Sequence, residues 1–377
     1  LTATVTATSP GAGTPTGTIT FKDGGTTLGT GTLVSGIATF TVSSLSVNPH
    51  TLTAAYGGDI NFDVSASPNV TYVVAKAATS TVLTAAPSSS VFGQSVTLTA
   101  TVTATSPGAG TPTGTVTFKD GGTTLGTVTL VSGVATFTTS TLTVASHTLT
   151  AAYTGDTNFT GSTSPNVPHA VAKAATVVTL SLSPNPLVCG QSVTICATVT
   201  AVFPSMAIPA GNIVLTGPGG LNQTVTLDAN GKACIPARLP ASGIITAAYS
   251  GSTSFTSSTG TLTATVTTAT STLTASPAKV RLLPPGFLLP MSATLTTNGN
   301  PEGKTITFRV FGALGPIIGT AVTNASGVAT LAAPPFSQIS VAYAAASVPG
   351  ANYTATLTGT PCDSPASATA PLTRADA

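Results

Sequence analysis

The sequence repeats itself at long range. The stretch from Leu1 to Gly17, LTATVTATSPGAGTPTG, recurs letter for letter from Leu98 to Gly114, a shift of 97 positions. TFKDGGTTLGT starts at Thr20 and again at Thr117, HTLTAAY at His50 and His147, and AKAAT at Ala75 and Ala172. A third copy is more diverged: Gly190-Gln191-Ser192 echoes Gly93-Gln94-Ser95, and Ala247-Ala248-Tyr249 echoes Ala151-Ala152-Tyr153. A fourth keeps only Ile306-Thr307-Phe308, Gly327-Val328-Ala329 and Ala342-Tyr343. Such a period is too long for a solenoid unit and matches a whole domain.

Inside each copy the period is two. Val96, Leu98, Ala100 and Val102 alternate with threonines, as do Val116 and Phe118. Alternation over short runs marks strands with one buried face. The runs are separated by SPGAGTPTG, KDGG, TGDTN and STSPN, which are turn chemistries. No segment shows helical periodicity with caps. Charged residues make up only 5% of the chain and the net charge is +2, with 41% apolar residues. That balance excludes a disordered chain. It offers no field for nucleic acid or an anionic membrane, and no apolar run is long enough for a helical membrane span. A threonine-rich surface with few charges is expected to favour lateral bundling.

About seven short strands per copy fit an immunoglobulin-like β-sandwich. The copies resemble bacterial Ig-like (Big) repeats of secreted and cell-surface proteins. The resemblance is carried by GTPTGTVTFKDG (Gly110–Gly121), GVATF (Gly133–Phe137) and HTLTAAYTGDTNF (His147–Phe159). It implies an all-β tandem array of four antiparallel sandwiches, 1–78, 79–175, 176–269 and 270–377, of the kind used as stalks, adhesin shafts or filament subunits. The linker VVAKAATSTVL contains no Gly or Pro, so neighbours are expected to be held nearly coaxial in an extended rod.

Leu1 aligns with Leu98, so the first copy lacks the counterpart of Thr79–Thr97 and with it a first strand. Leu1 also falls inside a strand pattern, which suggests a mature or partial chain. An absent edge strand exposes backbone donors and an apolar face. Three readings stay open: a piece of a longer array, completion of the sandwich by a segment of another subunit, or tolerance of the loss. In the second reading Leu1, Ala3 and Val5 form one side of a polymer contact. The other side is Pro371, Leu372 and Arg374, in a tail (PLTRADA) expected to run past the last strand. A heterologous contact that does not close makes a filament.

In the sandwich reading, Cys196 takes the place of Thr99 and Cys234 that of Thr136, on neighbouring strands, which predicts a cross-strand disulfide. Cys189 lies at the C-terminal end of the third domain. Cys362 aligns with Asn166 at the N-terminal end of the fourth. A second bridge, Cys189–Cys362, is therefore expected across that junction, with free thiols or an intermolecular bridge as the alternative. Four cysteines suggest an oxidising, extracellular setting.

Asp59/Asn61 and Asp156/Asn158 sit in GDxN motifs that fit either an Asx turn or a Ca²⁺ site. The third copy carries Ser252/Ser254 there, which favours the turn. Lys22 and Lys119 fall at outward positions without an acid partner, against an isopeptide bond. No nucleophile and acid recur near His50, His147 or His169 as a triad requires, and no carboxylate pair suggests a glycosidase. No catalytic residue, metal or cofactor is therefore assigned. Asn69, Asn158, Asn222, Asn324 and Asn352 lie in sequons, which permit glycosylation without arguing for it. The leading expectation is an extracellular filament or stalk subunit that forms homopolymers. The rival is an adhesin or glycan-binding surface protein, carried by Val280–Met291 and Phe311–Ile318 of the last domain.

Overall fold

The computed structural model describes residues 1–280, 291–332 and 336–374. Contacts divide the chain into two compact units, Leu1–Ala172 and Lys173–Ala377. Each unit holds two successive sandwiches.

The first sandwich is built from β1 (Thr2–Thr4), β2 (Thr18–Asp23), β3 (Thr26–Thr32), β4 (Ile37–Thr39), β5 (Pro49–Tyr56), β6 (Ser65–Ala66) and β7 (Val70–Val73). One sheet has only the pair β1-β4. The other runs β3-β2-β5-β6, with β7 also on β5. The second sandwich contains β8 (Thr79–Ala86), β9 (Ser89–Val91), β10 (Val96–Ala104), β11 (Thr115–Asp120), β12 (Thr123–Thr129), β13 (Val134–Thr139), β14 (Ser146–Tyr153), β15 (Ser162–Thr163) and β16 (Val167–Ala172). Its sheets are β13-β10-β8 and β12-β11-β14-β16-β9. Inward residues of both sheets close one core around Leu98, Val116, Phe118, Leu149 and Ala151, all fully buried. Phe118 stacks on Phe137 at 5.7 Å between ring centroids.

Local chemistry fixes these strands. The hairpin into β13 turns on Ser132 (φ 51°) and Gly133 (φ 78°) between the bridged pair Val131 and Val134. Two successive positive φ values make the tight turn whose twist matches paired strands. The first copy repeats it at Ser35 and Gly36. A register shift after Phe21 recurs after Phe118 and after Phe308, so the fourth copy keeps a bulge that its letters obscure.

The third sandwich comprises β17 (Thr176–Ser183), β18 (Leu187–Val188), β19 (Ser192–Ala201), β20 (Asn212–Gly217), β21 (Leu221–Thr226), β22 (Lys232–Arg238), β23 (Gly243–Tyr249), β24 (Ser258–Ala264) and β25 (Val266–Thr267). It pairs them as β17-β19-β22, β21-β20-β23-β24 and β18-β25. The last segment forms β26 (Ser271–Ala275), β27 (Ala278–Val280), β28 (Met291–Thr297), β29 (Thr305–Val310), β30 (Ile317–Val322), β31 (Val328–Leu331), α1 (Phe336–Ala346), β32 (Asn352–Leu357) and β33 (Ala366–Arg374). Its sheets are β26-β28-β31 and β27-β33-β32-β29-β30.

Two expectations are corrected here. The helix α1 stands where an all-strand unit is expected from the sequence. It packs against the core through Ala342 and Ala345, both fully buried. Pro371–Arg374 do not run past the last strand. Pro371, Leu372 and Arg374 lie within β33, antiparallel to β32 and, from Leu372, parallel to β27. Leu372 is 1% exposed, so it fills the core of its own sandwich and is no free donor. The stretch between Val280 and Met291 lies outside the described residues. Val280 and Met291 themselves are fully buried.

Candidate functional site

The first sandwich carries an open groove. In the second sandwich β10 is flanked by β13 on one side and β8 on the other. In the first, β1 has β4 on one side and nothing on the other. The face that β8 covers is left as a cavity of about 520 Å³, lined by Leu1, Ala3, Val5, Ile19, Tyr56 and Val70 among others. The consequence shows in equivalent residues. Leu98 is 0% exposed and Leu1 39%. His169 on β16 is 1% exposed and Tyr72 on β7 is 54%. Leu1, Ala3 and Val5 thus line the groove, and the β33 residues expected to face them are held elsewhere.

A second feature recurs at the head of each following sandwich. The linker residue Ala77 bridges in parallel to Phe159. Its N–H donates to Asn158 O at 2.9 Å, and its carbonyl accepts from Thr160 N at 2.9 Å. Lys76 Nζ donates to Asp156 O, and Thr79 Oγ1 to Thr160 O at 2.8 Å. The third sandwich receives its leading segment in the same way. Ala174 N donates to Ser254 O (3.0 Å), Thr256 N donates to Ala174 O (2.9 Å), and Lys173 Nζ donates to Ser252 O (2.6 Å). In the last unit Ala269 N donates to Cys362 O (2.8 Å) and Ser364 N donates to Ala269 O (2.9 Å). This pattern puts Cys362 in the place of Asn158, which corrects its alignment with Asn166.

The GDxN motif shapes this socket. Asp156 Oδ1 accepts from Asn158 N and Phe159 N, both at 2.8 Å. Its Oδ2 accepts from Thr113 N (2.8 Å) and Thr113 Oγ1 (2.7 Å). Partial burial raises the acid's pKa, but the Thr113 hydroxyl and the three amides more than offset it, holding the group well below the usual carboxylate range. Asp59 repeats all four bonds with Thr16, Asn61 and Phe62. Every carboxylate oxygen already accepts two hydrogen bonds, so the loop is held as an Asx turn from within. Ser252 Oγ does part of the same work in the third copy, accepting from Ser254 N and Phe255 N at 3.2 Å. The socket is built from backbone, so no side-chain signature announces it. Its only trace in the letters is that AKAAT recurs with the same shift as GDxNF.

The cysteines occupy two positions. Cys196 and Cys234 are register partners on β19 and β22, with Cα atoms 4.1 Å apart and their sulfurs bonded. The equivalent partners in the second sandwich are Thr99 and Thr136. Cys189 is bonded to Cys362, with Cα atoms 5.2 Å apart. That bridge fastens the end of the third sandwich to the socket of the last one, beside the Ala269 bonds.

The histidines are structural partners of the hairpin strands. His50 places Nδ1 2.6 Å from Asp23 Oδ2 and Nε2 2.8 Å from Ser46 O. His147 does the same with Asp120 (2.7 Å) and Thr143 O (2.8 Å). Two acceptors favour the doubly protonated ring, and both pKa values are raised. His169 is buried, shares a 2.9 Å hydrogen bond with Ser90 Oγ, and has its pKa lowered by burial and by His147.

A profile described as "Bacterial Ig-like domain (group 3)" matches residues 1–75, 83–172 and 180–269, more than half the chain. The chain belongs to this family. Its Ig-like repeats account for the first three sandwiches, and the last unit lies beyond the matched residues. Among solved structures, fibronectin(III)-like modules of Clostridium thermocellum CbhA are 17% identical. That match covers 49% of this chain and 94% of theirs, with a TM-score of 0.19. Sidekick-1 immunoglobulin domains 1–5 are 15% identical, covering 99% and 77%, with a TM-score of 0.29. The Yersinia pseudotuberculosis adhesin InvE is 17% identical, covering 49% and 58%, with a TM-score of 0.27. Those scores are too low to carry an argument, and the fold assignment rests on the strand pairing and the family profile. No curated protein matches. No helix among the described residues is long and apolar enough to cross a membrane.

Proposed function

We propose that this chain is an extracellular structural protein of a bacterial surface, the repeating part of a filament or stalk, without catalytic activity. The observation that carries this reading is the tandem run of like Ig-like repeats, with each linker held by backbone hydrogen bonds at the head of the following one. In the filament form, another copy adds a strand beside β1 of the first sandwich. Leu1, Ala3 and Val5 are the chain's side of that contact. The disulfides support an oxidising compartment, and Cys189–Cys362 suits a load-bearing junction. Low charge supports close lateral packing between copies.

Negative-stain microscopy over a range of protein concentrations tests this. Uniform fibres that lengthen with concentration are expected. Isolated particles at every concentration, with no higher species by sedimentation, would remove the filament part of the reading.

A second reading has its own observation. The β29–β30 hairpin of the last unit exposes Phe311, Leu314 and Ile317 at its tip. Exposed apolar side chains so close together fit a binding tip carried by a shaft. Attachment of the chain to glycan or protein surfaces, abolished by Leu314→Ser, would favour the adhesin.

A further inference from the structure

Two connections set the last unit apart from the other sandwiches. The hairpin β2–β3 turns through Gly24 and Gly25, and β11–β12 through Gly121 and Gly122, whereas β29 and β30 are joined by residues 311–316. The way into β32 leads through α1 and residues 347–351, where the second copy passes from β13 to β14 without a helix. Between these two connections lies a cavity of about 340 Å³, lined by Phe311, Gly312, Val348, Gly350, Asn352 and Thr354 among others. Its volume is at the small end for ligand pockets. Insertions carried on a constant scaffold are where binding sites are most often built.

Thr354 decides what this cavity can hold. It pairs with Arg309 on β29 and Thr369 on β33, on the outward face of β32, between the core residues Tyr353 and Ala355. Its counterparts Thr53, Thr150 and Thr246, which pair with Lys22, Lys119 and Thr216, are half-buried. Thr354 is 3% exposed, in the one copy that carries both added connections. Its hydroxyl has no hydrogen-bond partner within the protein. An unpaired buried hydroxyl is costly, so a ligand that pairs it gains what the protein forgoes. A threonine exchanges its methyl and hydroxyl by one χ1 step, so the group it presents to the cavity can follow the ligand. Thr369 adds a second hydroxyl to the lining, and no charged side chain among the described residues joins them. At the rim Phe311 is 58% and Val348 49% exposed. Phe311 has φ 62°, a left-handed conformation that bulky residues rarely adopt and that gathers at ligand sites.

We infer that this cavity binds one neutral sugar ring at the end of a glycan. The inference rests on the second, adhesin reading above and names its ligand. A pyranose has two kinds of surface, a face of C–H groups and a rim of hydroxyls. Exposed Phe311 and Val348 suit the C–H face. Thr354, Thr369 and Asn352 supply hydroxyl and amide groups that both donate and accept, as sugar hydroxyls do. An apolar side chain of a protein partner would leave the Thr354 hydroxyl buried and still unpaired. A charged sugar or a phosphate would be desolvated without a countercharge in the lining. Arg309, the strand partner of Thr354, gives Nη1 to Gly315 O at 2.8 Å.

Methyl glycosides of glucose, galactose and N-acetylglucosamine, titrated into the full chain and followed by amide NMR, test the inference. Saturable binding of at least one, with a Kd on the order of millimolar, is expected, with shifts at Gly312, Gly350 and Thr354. Thr354→Val keeps the side chain's shape and removes its hydroxyl. It should weaken binding on the order of tenfold. The unfolding midpoint should stay level or rise, because no internal hydrogen bond is lost. Phe311→Ser should weaken binding by a similar factor. No saturation by any of the three, shifts confined to other residues, or unchanged affinity in the Thr354→Val chain would each overturn the inference. So would tighter binding of N-acetylleucinamide at the same amides, which would make the cavity a socket for a protein side chain. Leu314 does not line the cavity. Surface attachment abolished by Leu314→Ser yet indifferent to Thr354→Val would sink this inference and leave the adhesin reading standing. Glycoside binding by a chain that attaches to no surface would do the reverse.

Discussion

The first and second sandwiches share most of their letters and differ by one strand, and that strand decides what the shared letters do. Phe118 and Phe21 are both buried, because the β2 and β11 hairpins are complete in each. Leu98 and Leu1 part company, because β8 covers only the former. Burial is therefore set by which neighbour a strand acquires, and the same residue can be core in one copy and exposed in the next. Socket loops show the converse. Asp59 and Asp156 make identical hydrogen bonds, so each loop's shape is held from within.

The sharpest way to break this comparison is a matched pair of truncations. Leu98→Ala removes a fully buried side chain and should cost about 2–5 kcal/mol. Leu1→Ala removes the same side chain from a partly open groove and should cost under about 1 kcal/mol. Denaturant unfolding followed by domain-resolved hydrogen exchange measures both. Similar costs would mean that the groove is closed in solution. A slightly smaller effect is expected one sandwich further on. Replacing Cys196 and Cys234 by threonine restores the Thr99–Thr136 arrangement and should lower the third sandwich's stability by about 2–4 kcal/mol. An unchanged midpoint, with and without reductant, would show that the bridge does not constrain that domain.

The socket gives a more local contrast. Asp156→Ala removes the acceptor that holds the receiving loop, so the Ala77 and Thr160 amides should exchange roughly tenfold faster. Asp59→Ala should loosen its own loop and leave those amides unchanged. Equal effects of the two substitutions would mean that the linker is not held by the Asx turn. Acid should reproduce the first effect. The Asp156 pKa is depressed, so its contribution is complete above the ordinary carboxylate value and is lost as pH falls toward the folded one.

How much of this is legible in the letters follows from what each feature is made of. Strands and their inward faces are legible because side-chain alternation is written residue by residue, as in Val96–Val102. Positions carry over between copies for the same reason, which is why Cys196 and Cys234 can be placed against Thr99 and Thr136. The groove is legible as a missing stretch. Its depth is not, since that depends on how β5 and β7 stand over β1. The helix Phe336–Ala346 is illegible because FSQISVAYAAA has neither a polar face nor charged caps, although Ala342, Ala345 and Ala346 pack into the core. The extent of β33 is hidden because Pro371 sits inside it, where a proline reads as an ending. The socket is made of carbonyls and amides that every residue possesses.

The smallest effect separates the two sandwiches by pH. His50 and His147 each place both ring nitrogens against fixed acceptors, and their folded pKa values lie above the ordinary histidine value. A raised pKa contributes stability that is complete below the unfolded value and is lost as pH rises through the folded one. The first sandwich has only this kind of histidine. The second adds His169, whose pKa is lowered by burial and by the neighbouring His147. That group acts in the opposite sense, contributing above the ordinary value and losing its contribution as pH falls. The two terms act on opposite sides of the ordinary histidine value in the second sandwich, and the first has Tyr72 in the place of His169. Above about pH 6.5 both sandwiches should therefore weaken as pH rises, whereas below it the first stays nearly level and the second weakens as pH falls. Hydrogen exchange corrected for its intrinsic pH dependence resolves the two. His169→Tyr, which copies the first sandwich into the second, should abolish the second's loss of stability at low pH and leave its weakening at high pH unchanged. A first sandwich that gains stability above that value would show that His50 is not held in its charged form.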